Sequence, residues 1–231
     1  IGGEGAGLKI AILTLNTGRL ALPAGCLGSA KWATKQAREF ATERIQWGKA
    51  VGKHDAVAQK VAFIAASTFG LEAVLDVSAR LADDNKNDIR IEAAIAKLYG
   101  SEIAGLVNDE LIQIRGGRGF ETAKSLKARG EKPVNTEGVL RDGRINRIFE
   151  GSTEIMHLLI AREAVDAHLK AAGALADKDA SLEDKARAAA GASGFYAKWL
   201  PQLVVGKGAA PTSYAEFGPL ATHLRFCERS S

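Results

Sequence analysis

The chain has 231 residues, 46% of them hydrophobic and 25% charged, with aromatics at only 6% and a formal net charge of +4. That length buries a sizeable core in one or two domains, and the composition is that of an ordinary globular protein, not a disordered or collagen-like one. The mild positive charge comes with no Lys/Arg block and no interleaving of basic and aromatic residues, which argues against nucleic acid as a partner.

Abundant alanine and apolar spacing of three to four residues predict helices throughout. The expected class is all-α: an antiparallel four-helix bundle with short connections and an additional C-terminal helical appendage. The opening IGGEGAGLKI reads as a Gly-rich loop entering a helix, as if continuing from an upstream part. It follows no strand and fits neither nucleotide-binding fingerprint. Residues 8–47 read as one long helix, kinked or interrupted at Pro23. After a turn at Val51–Lys53, a second helix runs from His54 to Ala82, with Val57, Val61, Ile64, Leu71 and Leu75 as its buried stripe. No apolar run approaches the ~18 residues of a membrane span.

A polar turn over 83–87 leads to a third helix, Asp88 to Arg115, stopped by Gly116-Gly117. Residues 121–136, with Pro133, read as an exposed loop. Thr136–Arg147 reads as a short helix, and a fourth bundle helix runs from Thr153 to Ala171. Residues 172–190 are small and charged, and 204–213 read as a loop. Helical patches at 181–200 and 214–229 carry Phe195, Tyr196, Trp199, Phe217 and Phe226. The expected division is a bundle over 1–171 and an extension over 172–231 that ends without a stop signal, as if truncated. Cys26 and Cys227 lie far apart without metal-ligand spacing and read as free thiols of a reducing compartment. His157 and His168 share a helix face but lack a third ligand, so no metal is expected.

Four short motifs carry chemistry. In RDGRINRIFEGSTEI (Arg141–Ile155), Glu150 follows the apolar pair Ile148-Phe149 and precedes Gly151, Ser152 and Thr153. Ser152 or Thr153 is a natural helix N-cap, and Gly151 admits a close backbone or ligand. Apolar neighbours disfavour the ionised carboxylate and the helix start favours it, a balance suited to a general base. The plainer reading is a capped helix with a decorative Glu. In Arg44-Ile45-Gln46-Trp47-Gly48, an Arg can pair with phosphate and a Trp can cover a flat heterocycle. Equally, Arg44 complements the helix dipole and Trp47 lies in the core. Gln113-Ile114-Arg115-Gly116-Gly117-Arg118-Gly119-Phe120 exposes backbone amides among cations, or is simply a helix stop. In Asn16-Thr17-Gly18-Arg19, an Arg among leucines requires an anionic partner, either an internal ion pair or a ligand.

Together these words closely resemble the acyl-CoA dehydrogenase family over most of residues 1–168. The resemblance implies FAD-dependent α,β-dehydrogenation of fatty acyl-CoA thioesters, with Glu150 as the base that takes the α-proton while the β-hydrogen leaves as hydride to flavin. The thioester oxygen would be held by a flavin ribityl hydroxyl and the backbone amide of Glu150. Some members carry the base at the position of Gly18, which cannot serve here. Arg44 and Gln46 match an R-x-Q-F-G motif with Trp47 for the Phe, and Gln113, Gly116 and Gly117 match Q-x-x-G-G-x-G-F. Both imply contacts to the FAD diphosphate and ADP portion, across a subunit interface. Ser152 and Thr153 are assigned to the flavin as well. Asn16, Arg19 and Gly151 are assigned to the acyl-CoA, although Asn16 stands where Asp is common.

The longer 121–136 loop and the extension resemble actinobacterial and very-long-chain members. Implied partners are an electron-transferring flavoprotein and copies of the same chain, as a dimer of dimers. A bacterial cytoplasmic setting, peripheral to a membrane in some members, is expected. The family's N-terminal helical and middle β-domains have no counterpart in this sequence, so the chain is expected to be the C-terminal part of an enzyme. The alternatives are an acyl-CoA oxidase and a non-catalytic helical assembly module.

Overall fold

Helix α1 (Gly7–Glu43) is a single element of 37 residues that continues through Pro23. Proline lacks the N–H for the helical ladder, but here its ring is buried against Gly100, where a β-carbon would come within 2.6 Å of it. In the computed structural model, residues 2–84, 86, 88–205 and 214–230 are described, apart from the side chains of 9, 12, 13, 16, 204, 205, 215 and 228–230. The helix ends earlier than its spacing predicted because Arg44 turns to extended backbone (φ −77°, ψ 118°). A two-residue hairpin follows, with β1 (Ile45–Gln46) antiparallel to β2 (Lys49–Ala50). Its corner residues, Trp47 and Gly48, both have positive φ (48° and 76°), the requirement of a type I′ turn.

Helices α2 (Asp55–Asp83) and α3 (Arg90–Arg115) complete the long elements. Lys31 pairs with Glu72, and the hydroxyls of Thr34 and Thr68 meet at 3.1 Å, so α1 and α2 are antiparallel. Lys60 meets Glu110 at 2.5 Å, which turns α3 back parallel to α1. The core between them is Ala30, Ala33, Ala37, Ile64, Val107, Leu111 and Ile114, with a second patch of Cys26, Leu71, Leu75 and Ala104. Alanines on α1 bring its backbone close to α3. By length and composition α2 does reach the range of a membrane-crossing helix, contrary to expectation. Its buried Thr68 and Ser78 face the bundle, while Phe63, Phe69 and Val77 are exposed on it.

Gly116 stops α3 at φ 59°, ψ −138°, a region open essentially to glycine alone. After α4 (Gly117–Phe120), the segment 121–136 expected as an exposed loop contains α5 (Ala123–Ala128), capped by the Thr122 hydroxyl. Leu126 and Val134 anchor it inward, and Arg118 grips Glu131 with two bonds of 2.6 and 3.0 Å. Then α6 (Thr136–Gly143) and a 3-10 turn (Arg144–Arg147) run back along α3.

Helix α7 (Thr153–Ala176) passes the expected end at Ala171. Two compact units divide at Ala161/Arg162, inside α7, whereas the sequence suggested a boundary at 171. The second unit contains the rest of α7, α8 (Leu182–Val205), a 3-10 turn (Ala215–Leu220) and α9 (Ala221–Ser230). Its aromatic knot is His168 with Phe195, Tyr196 and Trp199, at ring centroids 5.3, 5.6 and 4.7 Å away. Of the loop predicted at 204–213, Val204 and Val205 are helical and 206–213 lie outside the described residues. Among the described residues the class is all-α, with one short hairpin as its exception.

Candidate active site

The 3-10 turn ends beside α3, and the chain reverses sharply at Glu150 and Gly151, both at positive φ (58° and 98°). A left-handed conformation at a non-glycine residue costs of order 1 kcal/mol and persists only where the surroundings impose it. The surroundings here are explicit. The Lys97 ammonium donates to the Gly151 carbonyl. Thr153 Oγ1 donates to Glu102 at 2.6 Å, and Arg147 pairs with the same carboxylate at 3.3 Å. Arg147 also donates to the Ser101 and Glu102 carbonyls, in space that Gly105 leaves open. Of the two cap candidates it is Ser152 that accepts from the α7 backbone, at 3.4 Å from Ile155 N; Thr153 spends its hydroxyl on Glu102.

This reversal sends the Glu150 side chain onto α1 at Gly18, whose backbone lies directly beneath the carboxylate. Oxygen Oε2 is buried and has no hydrogen-bond partner among the described residues. The Glu150 N–H likewise donates to no described group. Ile148 and Phe149 flank it, both about half exposed. Arg19 neighbours Gly18, and the Asn16 side chain lies outside the described residues. Lys97 is fully buried. Burial pulls its pKa below the usual lysine value; the nearby Cys26, Glu102 and Glu150 oppose that shift and Arg19 adds to it. Burial likewise pushes the Cys26 thiol up to about 11.

A second constellation forms at the far end of the bundle. The Arg115 guanidinium lies 5.0 Å over the Phe40 ring, so the ends of α1 and α3 adjoin, bringing the hairpin and the Gly116-Gly117 stop to the same end. Trp47 is 86% exposed at the hairpin corner, edge-on to His54 at 5.6 Å, and therefore not a core residue. The side chains of Arg44, Gln46 and Gln113 make no hydrogen bond or ion pair among the described residues. Gly116 and Gly117 are exposed, with open space where β-carbons would be. This is a surface of unengaged donors, bare backbone and one flat ring, which fits a polar, anionic heterocycle such as a dinucleotide. From Gly18 to Arg44 along α1 is about 39 Å at the helical rise, so the Glu150 seat and the hairpin motif are well separated within the chain.

Sequence reasoning overlooked Lys97, Glu102 and Arg147, the residues that shape the Glu150 turn. A signal for Lys97 was present: it falls on the stripe Ala93, Lys97, Ser101, Ala104, where α3 is otherwise apolar or small. Among the described residues no three His, Cys, Asp or Glu side chains gather as a metal site.

The sequence profile described as acyl-CoA dehydrogenase, C-terminal domain, matches residues 5–165. Over all 231 residues the chain is 68% identical to a Mycobacterium tuberculosis protein named "Probable acyl-CoA dehydrogenase FadE10", covering 36% of it. It is 36% identical over 161 residues, 70% of the chain, to the human very long-chain specific acyl-CoA dehydrogenase, covering 23% of that protein. The structure of butyryl-CoA dehydrogenase from Megasphaera elsdenii superposes with a TM-score of 0.63 at 29% identity, over 71% of this chain and 40% of that one. The chain thus spans about a third of the length of the curated relatives it matches over its full extent.

Proposed function

The chain belongs to the acyl-CoA dehydrogenase family, whose C-terminal domain it carries, and on that footing we propose that it takes part in the α,β-dehydrogenation of fatty acyl-CoA thioesters, with Glu150 as the base. The observation that carries this reading is the Glu150 carboxylate itself, seated on Gly18 with a buried oxygen that no donor among the described residues satisfies. A carboxylate spent on a structural ion pair would have its lone pairs occupied; this one is kept open.

The steps assigned to this chain are few. Glu150 takes the α-proton, and the C–H electrons left behind form the new Cα=Cβ bond. Its own unengaged N–H, a residue's length from the base, is placed to hold the thioester oxygen as negative charge develops there. Arg19 adds positive potential on the same side. Ile148 and Phe149 supply an apolar flank. FAD, when bound, would supply the acceptor for the β-hydrogen as hydride. Arg44, Gln46, Trp47, Gln113, Gly116 and Gly117 would hold its diphosphate and ADP portion, and Ser152 and Thr153 lie beside the base for contacts to a flavin.

The two groups of residues stand about 39 Å apart along α1. That span supports a flavin shared between copies, each chain giving its base end to one cofactor and its hairpin end to another. The exposed Phe63, Phe69 and Val77 on α2 support self-association, and a dimer of dimers is the proposed assembly. An electron-transferring flavoprotein is the proposed acceptor, and a bacterial cytoplasm the proposed setting.

The test is the visible spectrum of the complete natural chain before and after anaerobic addition of a saturated acyl-CoA. Bleaching of a bound-flavin band is expected. A flavin-bearing protein whose band survives every chain length tried would overturn the proposal.

A further inference from the structure

A base held at an unfavourable backbone angle needs something to hold it there, and the three groups gripping the 150–153 turn differ in kind. Arg147 and Thr153 act through Glu102, a half-buried carboxylate they share. Lys97 acts directly, through the carbonyl of the residue next to the base. It is also the largest fully buried side chain described, its amine sunk among Cys26, Glu102 and Arg19. An amine in so dry a place is costly unless its hydrogen bond does something an apolar side chain cannot. A methionine would fill the same volume at lower cost.

We propose that Lys97 is a positioning residue for the proposed dehydrogenation: by holding the Gly151 carbonyl it fixes the reversed turn that lays the Glu150 carboxylate over Gly18. The inference rests on the reading of Glu150 as base. Glu150 at 58° and Gly151 at 98° are the only two residues of the connection in the left-handed region, and the Gly151 carbonyl is the acceptor immediately after them. With that carbonyl released, Glu150 is free to relax to negative φ, which swings its side chain away from α1. Misplacement of a reacting group by about 1 Å is enough to cost roughly a hundredfold in rate.

The experiment compares wild type, Lys97→Met and Lys97→Gln in the complete natural chain. Without substrate, exchange of the Ile155 and Met156 amides, which donate to Ser152 at the end of the turn, should quicken at least about tenfold in Lys97→Met while the Ile64 amide stays protected. With acyl-CoA, kcat should fall about tenfold to a hundredfold with KM and flavin content within about twofold. The isotope effect from α-deuteration should rise, because proton removal becomes more limiting. Lys97→Gln keeps an N–H donor and should fall between the two. Unchanged exchange at the turn, an unchanged kcat in a folded variant, or variants that all lose the folded state would overturn the role. A wild type that never bleaches, together with faster exchange in Lys97→Met, would remove the reading of Glu150 and leave the hold on the turn standing.

Discussion

The carboxylate of Glu150 rests on the bare backbone of Gly18: a β-carbon there would lie 2.9 Å from Oε2, 3.2 Å from Cδ and 3.3 Å from Oε1. Gly18 is helical, so alanine should favour the folded state by up to about 1 kcal/mol through helix propensity and unfolded-state entropy. The same methyl group displaces all three carboxyl atoms. Gly18→Ala should therefore keep or raise Tm yet lower turnover by about tenfold or more. Thermal melts and steady-state rates check this; a variant with normal turnover would show that the carboxylate does not need this seat.

Glu150→Gln keeps the shape of the side chain and removes its basicity. Flavin content and Tm should stay near wild type, while turnover falls by about 10²–10⁴, the usual contribution of a positioned base. Single-turnover bleaching measured beside a melting curve separates lost chemistry from lost folding.

Cys26 should make the fold sensitive to alkali. Its folded pKa of about 11 stands above the 9.0 of an unfolded thiol, so the folded state keeps a proton that the unfolded state gives up. The stability this contributes is complete below pH 9 and declines as pH rises toward 11, by roughly 2–3 kcal/mol at most. Lys97, pulled below its usual value, acts in the opposite sense. The contribution is therefore read as a difference: urea melts from pH 8 to 11 should decline more steeply for wild type than for Cys26→Ala. In the native state at pH 8 a thiol reagent should modify exposed Cys227 and spare Cys26.

Thr136 is buried and donates to the Gly119 carbonyl at 2.7 Å, tying the start of α6 to the end of α4. Thr136→Val preserves shape and leaves that carbonyl unpaired, which should lower stability by about 1–3 kcal/mol. Denaturant midpoints at constant slope are the check. The hairpin-end residues should lose flavin affinity in this variant before Glu150 loses its place.

What could be read locally was read well. The stripe Ile64, Leu71, Leu75 was visible by its spacing, and all three are core residues of α2. The glycine pair at 116–117 marked the end of α3 because its backbone angle excludes other residues. The misreadings arose where local signals conflicted. Lys, Glu and Gly in 121–136 suggested exposure, yet Thr122 caps a helix there and Leu126 anchors it. Helical spacing carried α1 to 47, although Trp47-Gly48 form a tight corner.

The sequence by itself determined the all-α class, the long helices and, through the wording around Glu150, the family; each depends on periodicity, capping or a short motif, all properties of neighbouring residues. Tertiary structure alone decided that Glu150 seats on Gly18, that Lys97 holds Gly151, and that the base and the hairpin are well separated within the chain. The two contacts, Glu150 with Gly18 and Lys97 with Gly151, join residues 132 and 54 positions apart, and the parallel packing of α1 on α3, with the chain returning along α3 through α6, brings them together.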